Sequence, residues 1–192
     1  MANNGNICSW ARGDALMQHY HDTEWGVQVH DDKMLFELLT LEGAQAGLSW
    51  RTVLYKRQNY RIAFADFDFY KVKNYTDQDI ANLMQNTGIV RNKLKIASTI
   101  QNAKMIIDIL EEFGSFGKYI WSFTNHQTIS NNITCMADLK SSSPEAVAMS
   151  KALLKRGFKF VGPTICYAFM QAIGMVDDHE ETCYRKLKGK LI

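Results

Sequence analysis

Hydrophobic residues recur along most of this chain at the three- and four-residue steps of an amphipathic helix. One such stretch follows Asp31 or Asp32, either of which can cap a helix whose apolar face begins a few residues later. A longer one runs from Leu94 to Leu110 and ends before Gly114, a residue that commonly stops helices. Both patterns predict helices that bury one face.

Two further helices are predicted in the last third of the chain. Ser143 followed by Pro144 is typical of an N-cap and first helical residue, and Gly157 ends the helix that they begin. From Thr164 to Ile173 the sequence TICYAFMQAI is apolar nearly all round. This pattern predicts a central, buried helix.

Strand signals are weak, because no alternation is sustained and no Asn-Gly hairpin occurs. The longest irregular stretch covers residues 127–143, and only two prolines are present. The sequence therefore predicts one all-α domain over residues 8–185. We expect the termini, residues 1–7 and 186–192, to be loosely held and flexible.

Composition narrows the class of protein without naming a partner. A chain of 192 residues with 46% hydrophobic and 22% charged residues is ordinary for one globular domain. No run approaches the ~20 apolar residues of a membrane span, and the start, MANNGNICSW, lacks the regions of a signal peptide. We therefore expect a cytoplasmic protein; the net charge of +2 leaves nucleic-acid binding open.

Two cysteines and two histidines near the chain ends form a candidate metal site: Cys8, His21, His179 and Cys183. His179 and Cys183 are four residues apart, so on a helical turn they would point to one side. Two thiolates and two imidazoles suit a closed, tetrahedral and structural zinc site. The alternative, two unrelated cysteines and two exposed histidines, is favoured by spacing alone, because Cys8 and His21 are not a compact ligand pair.

The stretch Leu41–Trp50, LEGAQAGLSW, sets one carboxylate among small residues and an aromatic ring. Small side chains leave room beside Glu42, and the tryptophan offers a flat face, which favours a pocket for a planar ligand. Three tryptophans and one tyrosine fall in the first fifty positions: Trp10, Tyr20, Trp25 and Trp50. The alternative is that these rings are core residues and that Glu42 faces water.

Residues 156–169, RGFKFVGPTICYAF, predict a tight connection between two helices. The second helix would present its N-terminal N–H groups, which attract phosphate, beside Lys155, Arg156 and Lys159. A plain helical hairpin with a solvated basic flank is the alternative, and it is the commoner outcome for glycine-bounded turns.

Several motifs taken together resemble one known family. They are Cys8-Ser-Trp10, Tyr20-His21-Asp22, Glu24-Trp25-Gly26, Leu41-Glu42-Gly43 through Trp50, Trp121-Ser-Phe, Asn125-His126 and Gly157-Phe-Lys-Phe-Val-Gly162. This set is similar to the bacterial, constitutive 3-methyladenine DNA glycosylase I family, and the similarity extends from about Cys8 to Cys183.

The resemblance implies a helix-hairpin-helix glycosylase fold in which the hairpin grips DNA phosphates. The DNA contacts that it implies are Gly157, Lys159, Gly162 and Thr164, and Leu48 is the candidate for a wedge in the opened duplex. It also implies one structural zinc ion, bound by Cys8, His21, His179 and Cys183, that joins the two ends of the chain.

The resemblance also implies an activity. Glu42, the candidate catalytic residue, and Tyr20 would hydrogen-bond a flipped base, while Trp50 and Trp10 stack on it. The enzyme would hydrolyse the glycosidic bond of 3-methyladenine in double-stranded DNA and leave an abasic site. Because Thr164 rather than a lysine opens the helix after the hairpin, no lyase activity is expected. No protein partner is implied, and we expect a monomer.

Three alternatives stay open at the level of sequence. A non-enzymatic, zinc-stabilised module that binds damaged DNA would need the hairpin and the zinc but not Glu42 beside Tyr20 and Trp50. A glycosylase for another alkylated base is the second. The third concerns Asp177, which either stabilises the sugar cation or, as we favour, orders the zinc loop.

Overall fold

The computed structural model describes residues 6–189, and helices make up most of the regular structure in that range. The α-helices are α1 (Ala15–Thr23), α2 (Asp32–Gln45), α3 (Trp50–Leu54), α4 (Arg57–Ala63), α5 (Phe69–Val72), α6 (Asp77–Gln85), α7 (Lys93–Phe113), α8 (Phe116–Trp121), α9 (Pro144–Lys155), α10 (Pro163–Ala172) and α11 (Tyr184–Gly189). Short 3-10 turns occur at Ser9–Ala11, Ala65–Phe67, Ser122–Thr124 and Met136–Asp138. The expected mainly helical fold is confirmed.

Local sequence explains where the two central helices begin and end. Asp31 caps α2, because its carboxylate accepts a hydrogen bond from the backbone N–H of Met34 at 2.8 Å. Asn92 caps α7 in the same way, because its side chain accepts a hydrogen bond from the backbone N–H of Lys95. Gly114 ends α7 in the left-handed conformation, with a φ of 76°, as the sequence predicted.

Helices α9 and α10 form a pair joined by residues 156–162. Ser143 caps α9 and Pro144 is its first residue. The connection turns at Gly157, where φ is +97°, and α10 begins at Pro163. The predicted boundaries of both helices are confirmed to within about two residues.

Helix α2 lies at the centre of the molecule. Every side chain from Leu35 to Ala44 is buried, because α7, α8 and α10 pack around it and contribute to one hydrophobic core. A second, smaller cluster joins the two ends of the chain and includes Cys8, Tyr20 and Cys183. The helix with the candidate carboxylate is thus enclosed along most of its length.

A short parallel pair of strands was not predicted. Strand β1 (Ile129–Ser130) pairs with β2 (Val176–Asp177), with Ile129 opposite Val176. Part of the loop at residues 127–143 therefore pairs with the segment that leads to His179. From the sequence this loop is expected to be irregular, and the strand pair corrects that expectation. Two-residue strands carry too few positions for a sequence pattern to reveal them.

The ends of the chain correct one expectation. Residues 1–5 and 190–192, which belong to the segments expected to be flexible, lie outside the described residues. Lys186 also fell in such a segment, but it is 3% exposed and its ammonium donates to Ser130 and to the backbone oxygen of Asn131, both at 2.7 Å. Among the described residues, no helix is long and apolar enough to cross a bilayer.

Candidate active site and metal cluster

A cavity of about 240 Å³ opens between the N-terminal segment, α2 and α10. Its walls are Trp10, Met17, Tyr20, Trp25, Glu42, Gln45, Trp50, Leu139, Ala168 and Gln171. The four residues expected to contact a base therefore share one cavity, although they come from separate parts of the chain. A small aromatic-lined cavity with few polar groups is typical of a ligand site.

Glu42 is the acidic residue of this cavity. It is 5% exposed, and it takes part in none of the hydrogen bonds found among the described residues. Burial disfavours the charged carboxylate and raises the pKa of Glu42 to about 8. The residue is therefore not the solvent-facing carboxylate of the alternative interpretation.

Tyr20 and Trp50 add two more polar groups without partners. The Tyr20 hydroxyl and the Trp50 Nε1 are buried and have no hydrogen-bond partner in the described part of the chain. Burial, with the nearby Glu42 charge, raises the pKa of Tyr20 well above its ordinary value. The two rings lie 5.1 Å apart at 45°. Buried polar groups are normally satisfied, so this cavity is suited to a flat ligand with a polar edge.

Trp10 and Trp25 form a wall between the cavity and the chain ends. Their rings meet edge to face with centroids 5.0 Å apart, and Trp25 contacts the His179 ring at 4.6 Å. Gly26 permits this approach, because a Cβ there would lie 2.6 Å from Cε1 of His179. Trp25 and Gly26 of the Glu24-Trp25-Gly26 motif are thus explained by packing against His179, whereas Glu24 accepts from the guanidinium of Arg57 at 2.6 Å.

Behind this wall lies a buried cluster of metal-binding side chains. Ligand atoms of Cys8, His21 and Cys183 all lie within 4.8 Å of one another, and Nε2 of His21 is 3.4 Å from Sγ of Cys183. Hydrogen bonds from Cys8 and then His21 lower the pKa of Cys183 to about 4. A thiolate and an imidazole in contact can hold a metal ion.

His179 borders the same cluster. Its ring centroid lies 5.2 Å from that of His21, and its Nε2 is buried without a partner among the described residues. The other ring nitrogens are engaged: Nδ1 of His21 lies 2.7 Å from Asp22, and Nδ1 of His179 lies 2.8 Å from Asp177. Carboxylates commonly orient metal-binding histidines in this way.

Asp177 is held on two sides. Burial alone would raise the pKa of its carboxyl, but hydrogen bonds from His179 and Lys186 lower it below the ordinary range. The Lys186 ammonium lies 3.1 Å from its Oδ2. These contacts connect Asp177 to the His179 loop, and it is not among the residues that line the cavity.

The connection between α9 and α10 is fixed from one side by α7. The backbone N–H of Lys159 donates to Oδ1 of Asn102 at 2.8 Å, and its carbonyl accepts from Nδ2 of Asn102 at 3.0 Å. Phe160 rests on α2, where a Cβ at Gly43 would lie 3.3 Å from the Phe160 Cβ. The connection therefore packs against the residue next to Glu42, while the Lys159 side chain is exposed.

A groove of about 180 Å³ extends the site toward this connection. It is lined by Glu42 and Ala168, which also line the cavity, and by Leu48 and Thr164. Leu48 is 41% exposed although apolar. The candidate wedge and the start of α10 thus lie along one groove that leads from Glu42.

Arg156 was expected to lie beside the N-terminus of α10 with Lys155 and Lys159, where phosphate could bind, but protein groups surround its guanidinium. Its guanidinium donates to both carboxylate oxygens of Glu112, at 2.6 and 3.0 Å, and to the Tyr119 hydroxyl at 3.2 Å. It also lies over the rings of Phe113 and Tyr119. Three of its five N–H groups are therefore engaged, and of the three basic residues near the connection Lys155 and Lys159 are the exposed ones.

Gln45 belongs to the stretch Leu41–Trp50 that was expected to form a pocket, but four other cavity residues were not predicted from the sequence: Met17, Leu139, Ala168 and Gln171. Three of them offered no signal that distinguishes them from core or loop residues. Gln171 offered one, because an amide in the otherwise apolar run from Thr164 to Ile173 has to find polar partners.

The cavity and cluster define a helical domain with an aromatic cavity suited to a small ligand and a separate group of side chains that could hold a metal ion. Comparison with known families gives a more specific assignment. Residues 10–186 match the methyladenine glycosylase family. The chain therefore belongs to this family, which confirms the resemblance.

Individual relatives agree with that assignment. Over 176 residues, the chain is 48% identical to DNA-3-methyladenine glycosylase 1 of Escherichia coli (strain K12), covering 92% of this chain and 94% of that one. It is 44% identical to DNA-3-methyladenine glycosylase of Haemophilus influenzae, covering 92% and 95%. The solved 3-methyladenine DNA glycosylase I of Staphylococcus aureus has a TM-score of 0.91 at 36% identity, covering 96% and 98%.

Proposed function

We infer that this protein is a DNA glycosylase that excises 3-methyladenine from alkylated double-stranded DNA by hydrolysing its N-glycosidic bond. The observation that carries the inference is the aromatic cavity in which the Glu42 carboxyl and the Tyr20 hydroxyl have no hydrogen-bond partner within residues 6–189. Family membership and the names of the relatives support the same activity. The enzyme acts in the cytoplasm in base excision repair, because its substrate is the cell's own DNA, and we propose that it does so as a monomer.

The cavity can bind its target only after the base leaves the helix. Rotating a nucleotide out of duplex DNA costs roughly a few kcal/mol. Trp50 and Trp10 offer ring faces for the base, and aromatic faces attract the positive charge that methylation at N3 gives to the nucleotide. Normal adenine lacks this charge and is held by its partner base, so it enters less readily.

Glu42 responds to the charge of the lesion. Burial raises its pKa to about 8, so the neutral carboxyl predominates at pH 7. A cationic nucleotide beside it favours the carboxylate, which then accepts a hydrogen bond from the exocyclic amine of the base. An uncharged base gives no such gain, so Glu42 contributes to discrimination as well as to binding.

Bond cleavage requires little further assistance. When the bond between C1′ and the base nitrogen breaks, its electron pair neutralises the cationic base, and the sugar becomes an oxocarbenium ion. Water adds to C1′ and releases a proton, which leaves an abasic site. Thr164, at the start of α10, supplies no amine for a Schiff base, so the enzyme is monofunctional and has no lyase activity.

DNA is held by a helix-hairpin-helix motif made of α9, residues 156–162 and α10. Gly157 turns the backbone at a positive φ, Gly162 precedes α10 with no side chain to keep a phosphate away, and Lys159 supplies an exposed positive charge. The N-terminal end of α10, at Thr164, faces the groove that Leu48 also lines. Leu48 is the wedge that fills the space left by the flipped nucleotide.

One zinc ion is bound by Cys8, His21, His179 and Cys183. Three of these side chains already bring their ligand atoms together, and the partnerless Nε2 of His179 supports the fourth. Two thiolates and two imidazoles leave no open position, so the ion is structural. Asp177 orients His179 and does not act on the sugar.

The experiment that tests this function is base release from methylated duplex DNA, with the products separated and identified. We expect 3-methyladenine as the main product, and intact strands until abasic sites are cleaved chemically. Release of another alkylated base instead would contradict the assigned substrate. Binding without release would favour a damage-recognition module.

Two substitutions connect the activity to the cavity. Glu42→Gln keeps an oxygen acceptor but loses the charge, and Glu42→Ala loses both. We expect release to decrease in the order wild type, Gln, Ala, with the loss of a charge-assisted hydrogen bond costing about 1.5–3 kcal/mol, or about ten- to a hundredfold. Wild-type rates in a folded Glu42→Ala variant would show that the reacting base lies elsewhere.

A further inference from the structure

Gln171 is the cavity residue whose amide is fixed from behind. Its Nε2 donates to Oδ2 of Asp178 at 2.7 Å. The same carboxylate oxygen accepts from the Tyr167 hydroxyl at 2.8 Å, and Oδ1 accepts from Nδ2 of Asn131 at 2.7 Å. Asp178 is buried, so its charge is stabilised by three converging donors.

This arrangement determines which end of the amide is free. If the Gln171 amide rotated by half a turn, its oxygen would face a carboxylate oxygen, and two acceptors would be in contact. The nitrogen therefore stays with Asp178, and Oε1 is the uncommitted atom. No hydrogen bond within residues 6–189 uses Oε1, while Gln171 lines the same cavity as Glu42.

We propose that Oε1 of Gln171 is a second acceptor for the bound base, that Asp178 is its positioning residue, and that the pair selects 6-amino over 6-oxo purines. The proposal rests on the inferred function. The exocyclic amine of 3-methyladenine carries two hydrogens, and Glu42 and Gln171 would each accept one. A 6-oxo base presents an oxygen to both.

Glu42 alone cannot provide this selection. A carboxyl group that binds a proton readily can donate as well as accept, so it tolerates either an amine or a carbonyl. The Gln171 amide, held by Asp178, can only accept. A site whose polar group is fixed as an acceptor rejects the analogue that lacks the donor more strongly than an apolar site does.

The test is a tryptophan-fluorescence titration of free 3-methyladenine and of 3-methylhypoxanthine, its 6-oxo counterpart. We expect wild-type protein to bind the 6-amino base more tightly by about tenfold or more. Gln171→Met has a similar length but no acceptor, so binding of 3-methyladenine should weaken about three- to tenfold. Binding of the 6-oxo base should stay equal or improve, and the ratio of the two affinities should fall.

Tyr167→Phe is the matched control. It removes one hydrogen bond to the same Asp178 oxygen but leaves the bond from Gln171, so the affinity ratio should stay at the wild-type value. Asp178→Asn offers a donor and an acceptor, so it no longer fixes the Gln171 amide, and the ratio should fall part of the way. Asp178→Asn also serves as the test variant if Gln171→Met does not fold.

The outcomes distinguish the proposed selection by Gln171 from the inferred glycosylase function. An unchanged affinity ratio in folded Gln171→Met, or in folded Asp178→Asn if the first does not fold, overturns the selection proposed here. If wild-type protein releases 3-methyladenine from DNA in the same preparations, the glycosylase function stands. If it does not, the function itself is wrong.

Discussion

At the scale of single residues, helix α2 contains two buried glutamates in opposite environments. Glu37 accepts from the guanidinium groups of Arg57, at 2.6 Å, and Arg61, at 2.9 Å. Glu42, five positions later in the same helix, has no such partner, and burial raises its pKa to about 8. Burying an unpaired carboxyl is unfavourable unless the group is neutral or finds a ligand. The contrast supports the proposed binding role of Glu42, because its burial without a charged partner is unfavourable to the fold.

This contrast predicts how stability depends on pH. The folded-state pKa of Glu42 lies above the ordinary value of 4.5, so the folded protein binds more protons than the unfolded chain between about pH 4.5 and 8. Stability from this residue is therefore present below that window and is lost as the pH rises through it. Glu42→Gln cannot ionise, so its melting temperature should exceed that of wild type by an increasing margin, reaching several degrees above pH 8.

Glu37→Gln is the control for this experiment, since it leaves Arg57 and Arg61 without their shared carboxylate. It should lower the melting temperature at neutral pH, because the buried Arg57 loses one of its two carboxylate partners and keeps only Glu24, while Arg61 loses the carboxylate that it binds. The measurement is thermal unfolding followed by circular dichroism from pH 5 to 9. A constant difference between Glu42→Gln and wild type over this range would contradict the assigned pKa.

At the scale of secondary-structure elements, the hairpin and the cavity are mechanically connected. Phe160 packs against Gly43 in α2, and Asn102 in α7 holds the backbone of Lys159 on its other side. The positive φ of Phe160, 53°, belongs to this tightly held turn. A strand of DNA held at the hairpin would therefore be kept in register with Glu42.

The hairpin predicts an electrostatic mode of DNA binding. Lys159→Ala should weaken binding to undamaged duplex about equally for all sequences. It should also reduce the salt dependence of the binding constant by the amount expected for the loss of about one phosphate contact. Lys118→Ala, which removes an exposed lysine of α8 that borders neither the cavity nor the groove, is the control and should bind as wild type. The measurement is fluorescence anisotropy across a salt series. Binding that is insensitive to salt would exclude the hairpin as a phosphate site.

The secondary-structure elements differ in how well the sequence predicts them. The ends of α2, α7, α9 and α10 could be predicted because caps, glycines and apolar periodicity are local signals. The pairing of Ile129 with Val176 could not, since it joins two short loops that are distant in the chain. Glu42 stood out among small neighbours, whereas Gln171 acquires its role only when α10 packs against α2.

At the scale of the whole molecule, the two chain ends build one wall of the site. Cys183 lies 162 positions after His21, yet the two side chains are 3.4 Å apart. The backbone N–H of Glu180 also donates to the sulfur of Cys8, at 3.3 Å. Distances of this length along the chain explain why spacing alone did not predict the cluster. Trp10 and Trp25, which line the cavity, pack against the same ends.

Zinc should therefore govern the stability of the whole domain. We expect one zinc ion per chain by elemental analysis, and loss of the metal in His21→Ala. A ligand present at a thousandfold above its Kd stabilises the folded state by about 4 kcal/mol, which for a domain of this size corresponds to roughly 10 °C in melting temperature. Cys135→Ser removes the exposed cysteine, which is outside the cluster, and should keep both metal and stability. His21→Ala with full zinc, or wild-type protein that melts at the same temperature with and without a chelator, would refute the site.

Because the same residues support Trp10 and Trp25, zinc loss should also lower affinity for 3-methyladenine, whereas Glu42→Ala should lower that affinity with zinc retained.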